Sequence, residues 1–395
     1  VARTQLDIAD VFREHGQRWR AQHASHLSLA QLKVMSAIAH CRTALLGGHV
    51  LRCQACEHVQ ISYNSCRNRH CPKCQASSAK RWLEARQTQL LPVDYYHLVF
   101  TLPSEVAALA YYNKSVMYDL LMKTAAETVL TIGADPKRVG ARLGVTFVLH
   151  TWGSAMTHHP HVHGIVPGGG ISLDGEHWVS CRSGFFLPVR VLSRYFRRRY
   201  LERLRALYQQ GELAFFGDSQ KLEDEGEFTR WLHLQQQYEW VVYAKRPFAG
   251  PEAVLAYLSR YTHRVAMSNS RLVNMDDDLV SFRWKNYRKK TGQRYRTMSL
   301  TPNEFIRRFL LHVLPSGFHR IRHYGLVSNS GCKKYLNKAR QLLNVSMPKP
   351  IETSERDDLA VKELVYICPE CSGKMVVLEM LPSQLLPRGP PLALP

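Results

Sequence analysis

The sequence predicts an α+β protein: a sheet domain flanked by helices and preceded by a small helical and zinc-binding domain. Strand-like apolar segments at 97–102, 145–150 and 161–167 are separated by a helical stretch around 116–122, a pattern in which helices and a sheet share one core. Cysteines crowd residues 53–74. With 395 residues, 45% of them apolar, the chain can form two or three domains and bury a sizeable core. No apolar run reaches bilayer length and no leader pattern opens the chain, so the expected compartment is the cytoplasm.

Taken in order, residues 5–45 read as helices, with Ile8, Val11, Phe12 and then Leu29, Leu32, Val34, Met35 and Ile38 near helical spacing. Cys53-x2-Cys56 and Cys71-x2-Cys74 follow, close to the four-cysteine zinc pattern, with Cys66 and His70 between them. One tetrahedral zinc needs four ligands, and Cys53, Cys56, Cys71 and Cys74 are the expected set. Cys66 with His70 would replace one pair member or complete a second site. A disulfide framework is the weaker reading, since the chain is long and lacks a secretion signal. Arg67 and Arg69 lie among these ligands and suit a DNA-gripping module.

The stretch His158-His159-Pro160-His161-Val162-His163 holds a histidine pair around one apolar residue. In a strand, His161 and His163 share a face while Val162 points to the core. An isolated H-x-H is more often a plain strand edge. However, His150 ends the apolar run 144–150 eleven residues earlier, and an antiparallel hairpin would bring it to the same metal. His158 and His159 compete as third ligand. Pro167 and three glycines end the strand.

Residues 178–191 look like a β-rich connection. A basic helix follows, with Arg194, Arg197, Arg198, Arg199, Arg203 and Arg205 interleaved with aromatics. Such runs are usually solvated faces, but here phosphate contact explains the density better. Residues 217–227 form an acidic loop, and the strand 240–244 leads to Pro251, suited to a first helical position. On that helix, near 251–264, Tyr257 and Tyr261 stand one turn apart, as do Arg260 and Arg264, beside His263. Aromatics so spaced are commonly core residues, but two phenols beside guanidiniums also suit attack on phosphodiesters.

Residues 271–300 turn to hairpins, with a surface turn at Asp276-Asp277-Asp278. Between the turns lie Lys285, Lys289 and Lys290 among aromatics, a mixture suited to single-stranded DNA. Thr301-Pro302-Asn303-Glu304 has the form of a capping box opening an amphipathic helix through 314. His319–Gly325 is a further basic and aromatic stretch. Cys368-x2-Cys371 is half a knuckle whose partner is Cys332, a second chain, or none. The Pro- and Leu-rich tail 381–395 reads as disordered. The formal charge of +21 points to a polyanionic partner.

The strings HTWGSAMTHHPHVHGIVPGGG, YLSRYTHRVAMSN and YNSCRNRHCPKCQ closely resemble the HUH endonuclease superfamily, specifically the two-tyrosine rolling-circle insertion-sequence transposases with an N-terminal zinc-binding domain. The likeness runs from about residue 5 to about residue 345, with the motifs in the family's order. It implies a central antiparallel sheet with the histidine pair on a middle strand and the tyrosine helix beside it. It further implies a zinc-binding domain at 1–90 that recognises element ends, a nuclease domain at 91–345 and a tail at 346–395. On this reading His161, His163 and His150 hold Mg or Mn, and Tyr257 and Tyr261 form 5′-phosphotyrosine links to single-stranded DNA. Partners would be hairpin-containing element ends, target DNA and host replication proteins at a bacterial nucleoid. A plasmid-type replication initiator or relaxase, and a non-catalytic zinc-dependent DNA-binding protein, are the alternatives.

Overall fold

The computed structural model describes residues 6–87, 89–245, 265–286, 293–346 and 366–384. Its centre is a five-stranded antiparallel sheet in the order Ile321–Gly325, Gly144–Trp152, His158–Pro167, Tyr95–Thr101, Val242–Lys245. The histidine-bearing strand is therefore the middle one, as the resemblance implies. The basic stretch before Gly325 proves to be an edge strand of this sheet.

Alternation gives the sheet two different faces. Tyr96, Leu98, Phe100, Val145, Phe147, Leu149, Val162 and Val166 point to one side and are buried there. Two long helices cover them, Lys114–Ala134 and Val189–Gln209. The first buries Met117, Leu121, Ala125 and Val129, the second Leu192, Phe196, Tyr200 and Leu204, each set at four-residue spacing along one helical stripe. Gly164 belongs to this face, and a methyl group on it would lie 2.5 Å from the Phe147 ring. The glycine after the histidine pair thus lets that ring close over the middle strand. The opposite face carries His97, Val99, Val148, His150, His161 and His163.

The β-rich connection expected at 178–191 is mostly absent. Only Trp178–Ser180 is strand, and helix begins at Val189 after Pro188. The expected surface turn at Asp276 is present, its carboxylate accepting from the Asp278 and Leu279 amides. Thr301 caps the helix Pro302–Leu311 by accepting from the Glu304 amide. The Glu304 carboxylate, however, turns forward to Arg307 and Arg308 instead of completing the box.

The expected domain boundaries are crossed twice. The N-terminal helices pack not on each other alone but against residues 267–313, with Phe12 edge-on to Phe309 at 5.3 Å and Ile8, Met35, Ile38, Phe282 and Phe305 in one core. The strand Lys374–Leu381 is not tail either. It pairs antiparallel with Gly48–Cys53, giving a four-stranded sheet in the order Tyr366–Ile367, Lys374–Leu381, Gly48–Cys53, Val59–Tyr63. No helix among the described residues is long and apolar enough to cross a membrane.

Candidate active site

Register explains how three histidines meet. His150 and His161 are directly opposed across the pair of strands, and His163 follows two residues on along the same face. Their ligating nitrogens lie within 4.8 Å of one another, with His150 buried and the other two half-buried. His150 stacks on Trp152, ring centroids 4.6 Å apart. The third place in the cluster therefore belongs to His150. His158 instead hydrogen-bonds the Tyr118 hydroxyl at 2.7 Å, and burial pushes its pKa down to about 4. His159 contributes its backbone carbonyl, 2.7 Å from His161 Nδ1.

That carbonyl can only accept, so His161 Nδ1 carries the proton and its Nε2 a lone pair. His163 Nδ1 lies 2.9 Å from His97 Nε2, and donation to His97 leaves His163 Nε2 as a lone pair too. The two Nε2 atoms face each other at 3.1 Å. When His163 donates to His97, both lone pairs point at a place that one cation can occupy. Adjacent ligands of an octahedral ion with bonds of about 2.1 Å stand about 3.0 Å apart. The donor set thus fits a divalent ion, and its rings are held by outer partners as metal-binding histidines usually are. His97 is the residue that sequence reading missed in this role. It sits alone in an apolar run and has no spacing signal.

The sheet's other edge reaches the same face. Tyr243 and Lys245 lie opposite Val99 and His97, so the chain leaves Lys245 on the histidine side. Tyr257, Arg260, Tyr261, His263, Arg264, Lys289 and Lys290 lie outside the described residues.

A family model described as putative transposase matches residues 144–334, and one described as transposase zinc-binding domain matches residues 11–102. The chain is 51% identical over 387 residues to a putative transposase, y4qJ, of Sinorhizobium fredii, covering 96% of each chain. It is 26% identical over 355 residues to the transposase for insertion sequence element IS801 of Pseudomonas savastanoi pv. phaseolicola, covering 88% of this chain and 83% of that one. The chain belongs to the HUH family of insertion-sequence transposases.

In this transposase the cysteines sort differently from the expected set of Cys53, Cys56, Cys71 and Cys74. Cys71 and Cys74 join Cys66 and Cys41, while Cys53 and Cys56 join Cys368 and Cys371. The reason is geometric. Cys53 and Cys56 lie at the far end of the Gly48–Cys53 strand, whereas Cys74 is in the first turn of the helix Pro72–Gln87, packed in the core with Cys41. Sγ atoms of Cys41 and Cys66 each lie 3.6 Å from that of Cys74. Hydrogen bonds from Cys66 and Cys71 pull the Cys41 thiol down to about 7 against the effect of burial. This group, with the zinc-binding family match, supports a structural zinc.

Cys41 went unnoticed in the sequence because it belongs to no C-x-x-C pair. His70 is not a ligand. Its ring is buried at the junction with the sheet domain, where Nε2 faces the Leu314 amide, and desolvation lowers its pKa to about 3. Cys332 lies in a separate apolar cluster with Leu336 and takes no part.

Several expected DNA contacts are committed within the protein. Arg69 donates to the Pro315 and Phe318 carbonyls, fastening the cysteine module to the sheet domain. Arg197 donates to the Tyr238 carbonyl, and Arg199 binds Glu127 at 2.8 Å and Glu202 at 2.7 Å. Arg203 joins the same Glu127. Arg69, Arg197, Arg199 and Arg203 thus each have partners within the protein. Arg67 and Arg198 are exposed, and Lys285 lies 5.8 Å from the ring of exposed Tyr295 across the hairpin.

Proposed function

We propose that this transposase cuts and rejoins single-stranded DNA at the ends of its element through a 5′-phosphotyrosine, moving the element by a rolling-circle route. The observation that carries the reading is the facing Nε2 pair of His161 and His163, 3.1 Å apart, with His150 closing the cluster. When bound there, Mg or Mn would act as a Lewis acid that draws charge from the scissile phosphate.

Tyr257 or Tyr261 attacks phosphorus through its phenol oxygen. The tyrosyl O–P bond forms, the P–O3′ bond breaks, the phenol proton passes to water, and the departing 3′ oxygen takes a proton from water to become a hydroxyl. Because the new link is still a phosphodiester, a 3′-hydroxyl can later reverse the step and join strands without ATP. Two tyrosines would allow two such links in turn. Tyr257 follows Lys245 by twelve residues, and Lys245 ends on the histidine face, which supports a nucleophile drawn from the segment that follows it. Arg260 and Arg264 would hold the phosphate, and Arg67, Arg198, Lys285, Lys289 and Lys290 the flanking strand. Hairpin-containing element ends and target DNA are the partners of this reaction, with host replication proteins as candidate helpers, in the cytoplasm at the nucleoid.

The test incubates labelled single-stranded oligonucleotides bearing element-end sequences with the protein and Mn or Mg. A covalent adduct should form with wild type, require metal, and vanish in Tyr257→Phe/Tyr261→Phe. An adduct surviving the double substitution would refute the tyrosine assignment. Tight binding with no cleavage would favour a binding-only protein.

A further inference from the structure

The family model for the zinc-binding segment ends at residue 102 and leaves Cys368 and Cys371 without an assignment. In the fold they meet Cys53 and Cys56, with Sγ separations of 3.4 Å for Cys53 to Cys371 and 3.6 Å for Cys56 to Cys368. A disulfide would bring sulfurs to about 2.0 Å. Four thiolates on one tetrahedral zinc, with bonds of about 2.3 Å, stand about 3.8 Å apart. The observed spacing is near the second figure.

The two C-x-x-C turns also repeat each other atom for atom along the backbone. In the first, Cys53 N donates to His58 O at 2.9 Å and Glu57 N to Cys53 O at 3.2 Å. In the second, Cys368 N donates to Gly373 O at 2.9 Å and Ser372 N to Cys368 O at 3.0 Å. The residue after the second cysteine takes a left-handed conformation in both, φ +59° at Glu57 and +60° at Ser372. Strain of that kind at two non-glycine residues persists only where the surroundings require it. The Ala55 amide donates to the Cys53 sulfur at 3.4 Å. Amide donors aimed at sulfur stabilise thiolate, the form that binds metal. Gly373 is held close, since a methyl group there would lie 3.2 Å from both Cys53 Sγ and Cys371 Sγ.

We propose that Cys53, Cys56, Cys368 and Cys371 bind a second structural zinc, completing a ribbon built from two segments 312 or more residues apart in sequence. The strand Lys374–Leu381, laid along Gly48–Cys53, is the other half of the same clasp. The zinc-binding module of this transposase is therefore incomplete without its C-terminal segment, and the site is independent of the histidine cluster.

The test loads the full chain with Co2+, whose thiolate charge-transfer absorbance scales with the number of cysteine ligands, and counts zinc by native mass spectrometry. The absorbance should fall by half in Cys368→Ser/Cys371→Ser, from eight thiolates to four, with one zinc fewer per chain. The histidine cluster has no thiolate and does not enter this signal. Unchanged absorbance and zinc count in that variant would overturn the proposal. Should it fail to fold, Cys371→His keeps four ligands and should shift the cobalt d–d bands while retaining the metal. An unshifted spectrum would equally overturn it.

Discussion

His97 shows how much one side chain can matter without touching the reacting atoms. Burial, with Lys245 nearby, pushes its pKa down to about 4, so it is neutral at working pH and can accept from His163 Nδ1. Outer partners of this kind commonly change metal affinity by about 10–100-fold. His97→Ala should therefore raise the Mn concentration for half-maximal nicking by about that factor, with rate largely restored at saturating metal. An unchanged metal midpoint would mean that His97 only packs. The histidine pair itself was legible, because period-two spacing puts His161 and His163 on one face. His97 was not, since it lies diagonal to His163 through a strand register that only the folded sheet defines.

At the scale of single elements, the helix Val189–Gln209 shows where composition misleads. Its seven arginines look the same in sequence whether they face a phosphate or a neighbouring helix. Packing decides, because the stripe Leu192, Phe196, Tyr200 and Leu204 turns Arg199 and Arg203 toward Glu127 on Lys114–Ala134. These pairs are part-exposed, so each contributes no more than about 1 kcal/mol. Arg199→Ala should cost about that much in a denaturant melt while leaving the salt dependence of DNA binding unchanged. A shallower salt slope would return Arg199 to the DNA-contacting set. The cysteines follow the same logic, since C-x-x-C spacing identifies each knuckle but not its mate. Pairing is set by strands lying far apart in sequence, which local spacing does not encode.

For the molecule as a whole, buried neutral histidines set an acid limit. Desolvation holds His158 and His323 near 4 and His312 near 3, below the 6.5 of an unfolded histidine. Above pH 6.5 neither state binds these protons and stability is complete. As pH falls toward 4 the unfolded chain takes them up and the native chain does not, so stability is lost, by on the order of several kcal/mol in all. Calorimetric Tm should drop across that window, and less steeply in His312→Gln than in wild type. Equal slopes would show that His312 titrates normally. The sheet strands and long helices were legible from their periodicity, because each buries one continuous stripe. The junctions were not. Phe12 on Phe309 and Arg69 on Pro315 are contacts between surfaces whose partners no local pattern names.

The shared sheet also sets a schedule for synthesis. The strand Gly48–Cys53 leaves the ribosome long before its neighbour Lys374–Leu381 exists. At about 5–20 residues per second, the chain between Cys53 and Cys371 takes roughly 15–60 s to make. Until then the nascent ribbon has an open edge, which closes only once the chain has been made past Leu381.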